Sequence, residues 1–555
     1  MAVPAQPDAS EIATAIRDAI DLRRFPWIRP LVTAFAADFA SVAPLFAGNP
    51  ADPAAWRETI ARVQGSTRDH AAVADILVRQ WKARSAPPAA HAAAERLRDP
   101  ATVAVVTGQQ AGLFGGPLYT LLKAATAIQL ARRIEAEHHV AAVPVFWVDA
   151  EDHDWNEIKS ARVLDRDFAL HQIALADVAG AGTQPVAALT LDEGTGDALA
   201  ELAAALAPSE FTRETLDALT RRYTAGTPVA TAFAGWLDDL LGRHGMVVFD
   251  AADPAAKPFA ADIFARELQN PCRTAKLARD AGALMRQLGH APQVEPAEDG
   301  VALFYLDAGG RRPIKRKDDT LIVGDDVHDA AALRAQATAE PTRFSPNVLL
   351  RPLVQDHLFP TVCYVAGPSE LAYQAQLGGI YKEFGVEPPL LYPRVSATLL
   401  DSASARFIER HQVALESLQA QDEAALNKLL EDQLPPALER AMADTAAQLE
   451  AHAERMKDAV RGLDPTLTGT VDTTLKRMRE ALDGLQGKII QASKRKDDTL
   501  RRQFTRTRML AFPGGTPQER VLNVAFFTNR YGLTIVDRLL EALPVETDKH
   551  YVITL

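Results

Sequence analysis

The sequence has few features of a disulfide-linked, membrane-spanning or nucleic-acid-binding protein. Its 555 residues include two cysteines, Cys272 and Cys363, which are too few for a disulfide framework. No apolar run is long enough to span a bilayer, and the first residues lack a basic stretch followed by an apolar one. The net charge of -12 at pH 7 argues against a general nucleic-acid binder. We therefore expect a cytoplasmic protein with no membrane and no nucleic-acid partner.

Common nucleotide-binding and metal-binding signatures are also missing. The glycine-rich stretch at 108–116 fits neither the dinucleotide fingerprint GxGxxG nor the P-loop GxxxxGK[ST], and the chain has no CxxC or HxxxH pair. His153, His357 and Cys363 are the candidate zinc ligands near the predicted core. Cys363 falls in the middle of a predicted strand, where a thiol acts as a small apolar side chain. We predict that the protein has no zinc site.

The stretch at 102–154 has the pattern of a βαβ unit with polar groups at its top. Val103 to Val106 predict a short buried strand, glycines follow, and Pro117 opens a helix with apolar periodicity. A second predicted strand, Val143 to Val148, leads into an acidic run that ends at Asp154. Ligands of open α/β sheets bind at the carboxyl ends of strands, and free N–H groups at a helix start favour phosphate or carboxylate. We expect a ligand-binding crevice here, although glycine-rich turns also occur for packing alone.

A second Gly-Pro turn repeats this pattern later in the chain. The predicted strand Thr361 to Ala366 leads into Gly367-Pro368 and a helix that carries Tyr373, much as Tyr119 follows the first turn. His244 to Asp250 predicts a further core strand. Two such turns in one doubly wound sheet converge on a single crevice from opposite halves.

The rest of the chain divides by composition and periodicity. Leucines and methionines at alternating spacings of three and four predict an antiparallel coiled coil. We expect it to form a dimer, and packing of its two arms within one chain is the alternative. A helix is predicted at Ser10 to Leu22. The expected segments are a helical N-terminal segment (1–99), the first half of the core (100–160), a first insertion (161–235), a core strand (236–254), a second insertion (255–340), the second half of the core (341–396), the coiled coil (397–510) and a C-terminal segment returning to the core (511–555).

Five stretches together carry a family resemblance over nearly the whole chain. They are TGQQAGLFGGPLYTLLKA, PVFWVDAEDHDWNEI, SPNVLLRPLVQD, AGPSELAYQAQL and PQERVLN. In combination they resemble the cysteine-adding enzymes of bacillithiol biosynthesis, the BshC cysteine ligase family. The resemblance implies an α/β fold with a Rossmann-like core of the class I aminoacyl-tRNA synthetase type. It also implies two connecting-peptide insertions and a long antiparallel α-helical coiled coil that forms a homodimer.

The resemblance implies the last step of bacillithiol biosynthesis. Cysteine would be joined to the amine of glucosaminyl-malate by an amide bond. Because a free carboxylate must be activated first, we expect ATP and a cysteinyl-adenylate, with helix N-termini stabilising phosphate charge. The alternatives are another adenylate-forming or nucleotidyl-transfer enzyme on the same fold, and a non-catalytic coiled-coil interaction protein. Polar side chains clustered at strand ends argue against the last alternative.

Two synthetase signatures are absent from this sequence. In place of HIGH, Gly116-Pro117-Leu118-Tyr119 occupies a comparable position after the first strand. In place of KMSKS, Arg394 follows the last core helix and is our candidate for the cationic role of that loop. The alternative, Ser493-Lys494-Arg495-Lys496, lies on the predicted coiled coil, where a solvated face is expected.

The candidate catalytic residues are His153 and the carboxylates that flank it, Asp152 and Asp154. An imidazole titrates near neutral pH and suits a general base that deprotonates the sugar ammonium. The alternative is a structural histidine held by its neighbouring carboxylates.

The candidate binding residues lie on the two turns and on the segment before the second one. Arg351 suits the malate carboxylates through bidentate pairing, and an ion pair with Asp356 is the rival interpretation. Glu370 suits the cysteine ammonium, or it complements the helix dipole. The basic run Arg311 to Lys317 contacts an anion or is simply solvated. The full binding set is Gln109, Gln110, Gly112, Gly116, Tyr119, Lys123, Glu151, Asn347, Arg351, Gln355, Gly367, Glu370, Tyr373 and Arg394.

Overall fold

The computed structural model describes residues 16–431, 436–496 and 498–555. The chain forms two compact units: the first contains the residues up to Leu399 together with Gln518–Leu555, and the second is Leu400–Pro517. The final segment of the chain therefore belongs to the first unit. None of the described helices is long and apolar enough to cross a membrane.

The strands fall mostly in the first unit. In chain order they are β1 (Ile16–Asp21), β2 (Val103–Gln109), β3 (Ala142–Val148), β4 (Ser160–Leu164), β5 (Leu170–Ala174), β6 (Val247–Asp250), β7 (Gly300–Asp307), β8 (Gly310–Lys317), β9 (Thr320–Val323), β10 (Asp326–Asp329), β11 (Phe344–Pro346), β12 (Thr361–Ala366), β13 (Leu390–Pro393), β14 (Ser396–Leu400) and β15 (Lys549–Thr554).

Helices make up most of the remaining regular structure. In chain order they are α1 (Pro30–Ala37), α2 (Phe39–Val42), α3 (Pro53–Gln64), α4 (His70–Arg84), α5 (Pro88–Arg96), α6 (Tyr119–His138), α7 (Trp155–Ile158), α8 (Gly194–Ala205), α9 (Thr212–Arg222), α10 (Val229–Leu241), α11 (Lys257–Gln269), α12 (Arg273–Gln287), α13 (Ala330–Ala339), α14 (Arg351–Leu358), α15 (Pro368–Gln374), α16 (Gly378–Phe384), α17 (Ser402–His411), α18 (Ala424–Glu431), α19 (Pro436–Arg461), α20 (Thr468–Lys496), α21 (Asp498–Ala511), α22 (Gln518–Val521), α23 (Val524–Tyr531) and α24 (Ile535–Ala542).

A five-stranded parallel sheet forms the core of the first unit. Its strand order is β13-β12-β2-β3-β6, and each neighbouring pair is parallel. Every residue of β3 and β12 is buried, as expected where helices cover both faces of a parallel sheet. From β2 the chain winds outward through β3 to β6, and it later winds the other way through β12 to β13. The predicted doubly wound core is confirmed, with its switch point between β2 and β12.

Two segments leave this sheet and return to it. Between β3 and β6 lie the antiparallel hairpin β4–β5 and helices α8 to α10. Between β6 and β12 lies an antiparallel sheet of order β10-β9-β8-β7-β11, accompanied by α11 to α13. Phe264, Leu303 and Phe344 belong to the apolar cluster that packs this second segment against the core.

A third sheet, of order β1-β15-β14, joins distant parts of the first unit. β1 pairs antiparallel with β15, with Ala19 opposite Tyr551. The helix predicted at Ser10 to Leu22 is therefore wrong for residues 16–21, and residues 10–15 lie outside the described part. Backbone pairing with β15 and the burial of Ile20, which is 2% exposed, outweigh the local helix propensity.

The glycine loop after β2 packs against the segment that joins α22 to α23. The hydrogen bonds run from Leu118 N to Leu522 O at 2.9 Å, from Val524 N to Gly116 O at 2.9 Å and from Asn523 Nδ2 to Leu113 O at 2.8 Å. Helix α6 begins at Tyr119, two residues after the predicted start at Pro117. The polar backbone groups around this helix start are thus partly satisfied by the protein itself.

The second unit is helical apart from the end of β14. Its two long helices, α19 and α20, pack against each other and are joined by a turn at 462–467. Lys457 and Asp472 form an ion pair at 2.5 Å between these helices, and Glu450 pairs with Arg479. Nothing is described for the side chains of the Ser493 to Lys496 run, although its backbone is part of α20.

Substitution of Gly115 tests the packing of the glycine loop. Gly115 has a φ of +97°, and an added Cβ would lie 2.8 Å from Nε1 of Trp236 and 3.1 Å from Cβ of Val524. We expect Gly115→Ala to destabilise the first unit by about 1–3 kcal/mol, because backbone strain and overpacking both act there. Urea unfolding followed by tryptophan fluorescence should show a lower midpoint. Gly196→Ala is the control, since an added Cβ there has no atom within 4 Å; equal midpoints for the two variants would contradict this account.

Candidate active site

A cavity of about 680 Å³ lies at the carboxyl ends of the parallel strands, at the switch point between β2 and β12. The residues after β2, β3, β12 and β13 contribute to its wall, as do β8 and the start of α14. This is the position at which doubly wound α/β proteins bind their ligands.

The structure brings most of the predicted site residues to this cavity. Those that line it are Gln109, Gln110, Tyr119, Lys123, Asp152, His153, Asn347, Arg351, Gly367, Glu370, Tyr373 and Arg394. They come from both Gly-Pro turns, which confirms that the two halves of the sheet converge.

Five predicted residues lie outside the cavity lining, and their contacts are internal. Glu151 is buried and forms an ion pair with Lys257. Asp154 caps α7 by accepting a hydrogen bond from Glu157 N at 3.2 Å. The remaining three are Gly112 and Gly116, which belong to the glycine loop, and Gln355, which contacts Arg351. The structure does not bring these five residues to the place where a ligand would bind.

The carboxylate of Glu370 already forms an ion pair with a lysine of the same chain. Its Oε2 lies 2.5 Å from Nζ of Lys123, which is 1% exposed, and its Oε1 accepts a hydrogen bond from Tyr364 at 2.6 Å. Burial alone would raise the pKa of Glu370, but the Lys123 ammonium outweighs this and the pKa is lowered. Glu370 also accepts a hydrogen bond from Gly367 N at 2.7 Å, which favours the helix-capping role over binding of the cysteine ammonium.

Arg351 faces the cavity and does not pair with Asp356. It donates to the Tyr373 hydroxyl at 2.9 Å and to Gln355 Oε1 at 3.1 Å. Asp356 instead accepts hydrogen bonds from Tyr381 at 2.5 Å and from Gln355 at 2.8 Å. The rival interpretation, an Arg351–Asp356 ion pair, is therefore wrong, and the guanidinium is held rigidly beside the ligand space.

Arg311 is part of the cavity although most of its basic run is not. Its side chain is 8% exposed, lies 3.8 Å from the ring centroid of Phe304, and donates to Pro346 O at 2.9 Å. Its neighbour Arg312 pairs with Asp307 instead. The run forms strand β8, in which successive side chains point to opposite faces, so this alternation was the signal that separates Arg311 from Arg312.

The contact between Arg311 and His153 restricts the chemistry of the imidazole. Arg311 Nη1 lies 3.2 Å from Nδ1 of His153, and the Asp152 carboxylate lies 3.5 Å from the same nitrogen. A guanidinium can only donate, so the shorter contact requires Nδ1 to accept. In the neutral ring the proton then sits on Nε2. Neither ring nitrogen therefore has a free lone pair that could accept a proton from a substrate. This geometry favours a structural role for His153 over that of a general base.

Asp149 is a cavity residue that the sequence reasoning missed. It follows β3 directly, and its side chain is 30% exposed and lines the cavity. Burial raises the pKa of Asp149 to about 6, against the opposing charge of Arg351, whose Nε lies 3.9 Å away. Its position at the carboxyl end of a core strand was the available signal.

The C-terminal segment supplies a second missed contribution. Glu519 accepts two hydrogen bonds from Arg394, at 2.9 Å and 2.6 Å, and a third from Ser396 Oγ at 3.1 Å. His550 Nδ1 lies 2.8 Å from the Ser396 hydroxyl, which extends this buried network. Arg520, next to Glu519, lines the cavity. The stretch PQERVLN therefore both anchors Arg394 and adds a cation to the site.

Two family models cover almost the entire chain. The N-terminal Rossmann-like domain of bacillithiol biosynthesis BshC matches residues 18–395, and the C-terminal coiled-coil domain of BshC matches residues 397–555. The chain belongs to the BshC family. Three relatives are named cysteine ligase BshC: those of Salinibacter ruber (31% identical, 99% of this chain and 100% of the relative), Koribacter versatilis (33%, 95% and 98%) and Geobacillus kaustophilus (31%, 94% and 97%).

The chain passes between the two structural units twice, after Leu399 and after Pro517. The boundary between the two BshC family models agrees with the first of these points and not with the second. The first crossing, at 395–397 in the family models, lies close to Leu399, where the first unit ends. The coiled-coil family model continues to residue 555, whereas Gln518–Leu555 belong to the first unit. The region matched by the coiled-coil model of BshC therefore contains Glu519, which pairs with Arg394, and Arg520, which lines the cavity.

The described residues contain no group of three or more His, Cys, Asp or Glu side chains that could hold a metal ion. Cys363 is buried in β12, and burial raises the pKa of its thiol. Its burial fits a small apolar side chain. That this BshC chain binds no zinc stays a prediction.

A double-mutant cycle on Lys123 and Glu370 tests the buried pair. Lys123→Met and Glu370→Gln should each destabilise the first unit by about 3 kcal/mol, because each leaves a charge buried without its partner. The double variant should lose clearly less than the sum of the two. Urea unfolding of all four proteins measures the coupling, and strictly additive losses would show that the two side chains do not interact.

Proposed function

We propose that this chain joins the carboxylate of cysteine to the amine of glucosaminyl-malate, the last step of bacillithiol biosynthesis. The observation that carries the proposal is the lining of the switch-point cavity in a member of the BshC family. That lining combines buried arginines with Asp149, whose carboxylate accepts no hydrogen bond from the described residues. Relatives over the full length are named cysteine ligase BshC.

The charges of the cavity suit these substrates. Malate carries two carboxylates, and Arg311, Arg351 and Arg520 offer guanidinium groups along the wall. Both substrates carry an ammonium group, and the carboxylate of Asp149, which accepts no hydrogen bond from the described residues, can meet one. A volume of about 680 Å³ lies within the range of small-molecule sites.

Activation of the cysteine carboxylate by ATP is part of the proposal. A nucleoside triphosphate would supply the leaving group that a free carboxylate lacks. Lys123 and Arg394 line the cavity and are the candidate cations for its phosphates, with Arg394 in the role of the missing KMSKS loop. Each is already paired within the fold, Lys123 with Glu370 and Arg394 with Glu519, so a phosphate would share these cations with their carboxylates. Helix α15 starts at the second Gly-Pro turn, although Glu370 already accepts the Gly367 N–H there.

We also propose that the two segments that leave the parallel sheet correspond to the connecting-peptide insertions of class I synthetases. The antiparallel arrangement of the coiled coil is supported by its ion pairs: Lys457 pairs with Asp472, and Glu450, further back on α19, pairs with Arg479, further along α20. A cytoplasmic location completes the proposal, since both cysteines are free thiols.

A homodimer through the coiled coil is supported by apolar side chains exposed on α19, α20 and their turn. Met456 is 57% exposed, Met478 49% and Leu485 52%, and Leu463 in the turn is 82% exposed. A second copy of the same helices would cover this surface with like side chains, as in isologous interfaces.

Assay of the purified protein with cysteine, glucosaminyl-malate and ATP tests the activity. We expect one pyrophosphate per amide product, measured by coupled phosphate detection and mass spectrometry. Replacing cysteine with other amino acids, or glucosaminyl-malate with other amines, should abolish product. Efficient turnover of other pairs would favour a different adenylate-forming enzyme, and product without pyrophosphate would remove the adenylate route.

Replacing Met478 and Leu485 together with glutamate tests the dimer. Both side chains are exposed in the single chain, so the substitutions should leave its helices folded while placing like charges across the interface. Analytical ultracentrifugation should show a dimer for the unsubstituted protein and a monomer for the variant. Substitution of Arg477 and Lys488 with glutamine is a surface control that keeps the dimer; a variant that also stays dimeric would exclude this face as the interface.

A further inference from the structure

One carboxylate in the cavity has no hydrogen-bond donor among the described residues. Asp149 has only the Arg351 guanidinium near it, at 3.9 Å, which is beyond hydrogen-bond distance. The other acidic groups of the lining are engaged: Asp152 accepts from Gln110 at 2.6 Å, Glu157 is hydrogen-bonded to the same Gln110 side chain, and Glu370 is paired with Lys123. The fold therefore leaves the carboxylate of Asp149 available to a ligand in the cavity.

The proposed reaction needs such a group. The sugar amine is an ammonium ion at neutral pH and has no lone pair with which to attack until it loses a proton. His153 is poorly placed to take that proton, since its Nδ1 accepts from Arg311 and its Nε2 carries the ring proton in the neutral form. The loop after β3 offers the carboxylate of Asp149, which lines the cavity, accepts no hydrogen bond from the described residues and can accept this proton.

We infer that Asp149 binds the substrate ammonium and accepts its proton, as the general base of amide formation. The inference rests on the proposed function. In this step the N–H proton passes to the Asp149 carboxylate, and the freed lone pair forms the C–N bond with the activated cysteine carbonyl. The C–O bond to the nucleotide phosphate then breaks, and its electron pair leaves with that phosphate. The second N–H proton is released to solvent as the amide forms.

The surroundings of Asp149 suit this role at neutral pH. Burial raises its pKa to about 6, so the carboxylate is ionised and able to accept a proton above that pH. As pH falls through about 6 it becomes protonated, and the rate should fall. The charged and titratable groups that face it are Arg351 on α14, Arg311 on β8, Asp152 and Glu151 on its own loop, and Tyr373 on α15.

A pH–rate profile on three variants tests the assignment. The unsubstituted protein should show an acid limb in kcat/KM near pH 6. Asp149→Asn, of nearly the same size, should lower kcat about 10²- to 10⁴-fold and remove the limb, leaving a rate that rises with the fraction of free amine. His153→Gln should keep the limb. Asp250→Asn is the matched control: Asp250 also ends a core strand, and burial raises its pKa, but it does not line the cavity.

A trapping experiment separates this inference from the proposed function. Hydroxylamine is already unprotonated at neutral pH and converts activated cysteine to its hydroxamate without a base. Asp149→Asn should therefore form cysteine hydroxamate at the unsubstituted rate while losing amide formation. Loss of both reactions, or retention of the acid limb, would overturn the role of Asp149. If the unsubstituted protein makes amide but no hydroxamate, the proposed activation of cysteine is contradicted. The role of Asp149 as a base is then decided by the pH profiles.

Discussion

Strands β2 and β12 lie side by side in the parallel sheet, and the chain leaves them toward opposite halves of that sheet. Crossover helices cannot cover both strand ends at such a point, so a crevice must open above them. The two Gly-Pro turns, the loop after β3 and the residue after β13 all end at this crevice because parallel strands share one carboxyl edge. The site is thus a consequence of strand order before any side chain is considered.

Electrostatics then divides the charges at this edge into two kinds. Lys123 with Glu370 and Arg394 with Glu519 are buried pairs in which each charge is neutralised within the fold. Such pairs contribute little net stability, but they fix side chains firmly in place. Asp149 is different, because its nearest cation lies at 3.9 Å and its pKa is raised by burial. The lining therefore combines a rigid frame of paired charges with a carboxylate, that of Asp149, which is left for a ligand.

The sequence predicted the core far better than it predicted the roles of single residues. Apolar runs and Gly-Pro steps are local signals, so the parallel sheet and its two turns could be recognised, and twelve predicted residues line the cavity. Partners far apart in sequence are not local signals. The Lys123–Glu370 pair, the contact of Arg311 with His153 and the pairing of β1 with β15 each depend on tertiary contacts, and these changed the expected roles of Glu370, His153 and the first helix.

The return of the C-terminal segment has a consequence for synthesis on the ribosome. Arg394 leaves the ribosome before Glu519, the residue with which it forms an ion pair. Glu519 follows only after the whole of Leu400–Pro517 has been translated. The backbone hydrogen bonds between the glycine loop and Leu522 and Val524 likewise form only after these two residues have been translated. A nascent chain therefore cannot complete its cavity while the helical unit is still being made. A chain that ended within that unit would lack Glu519, which holds Arg394, and Arg520, which lines the cavity, so its site would be incomplete.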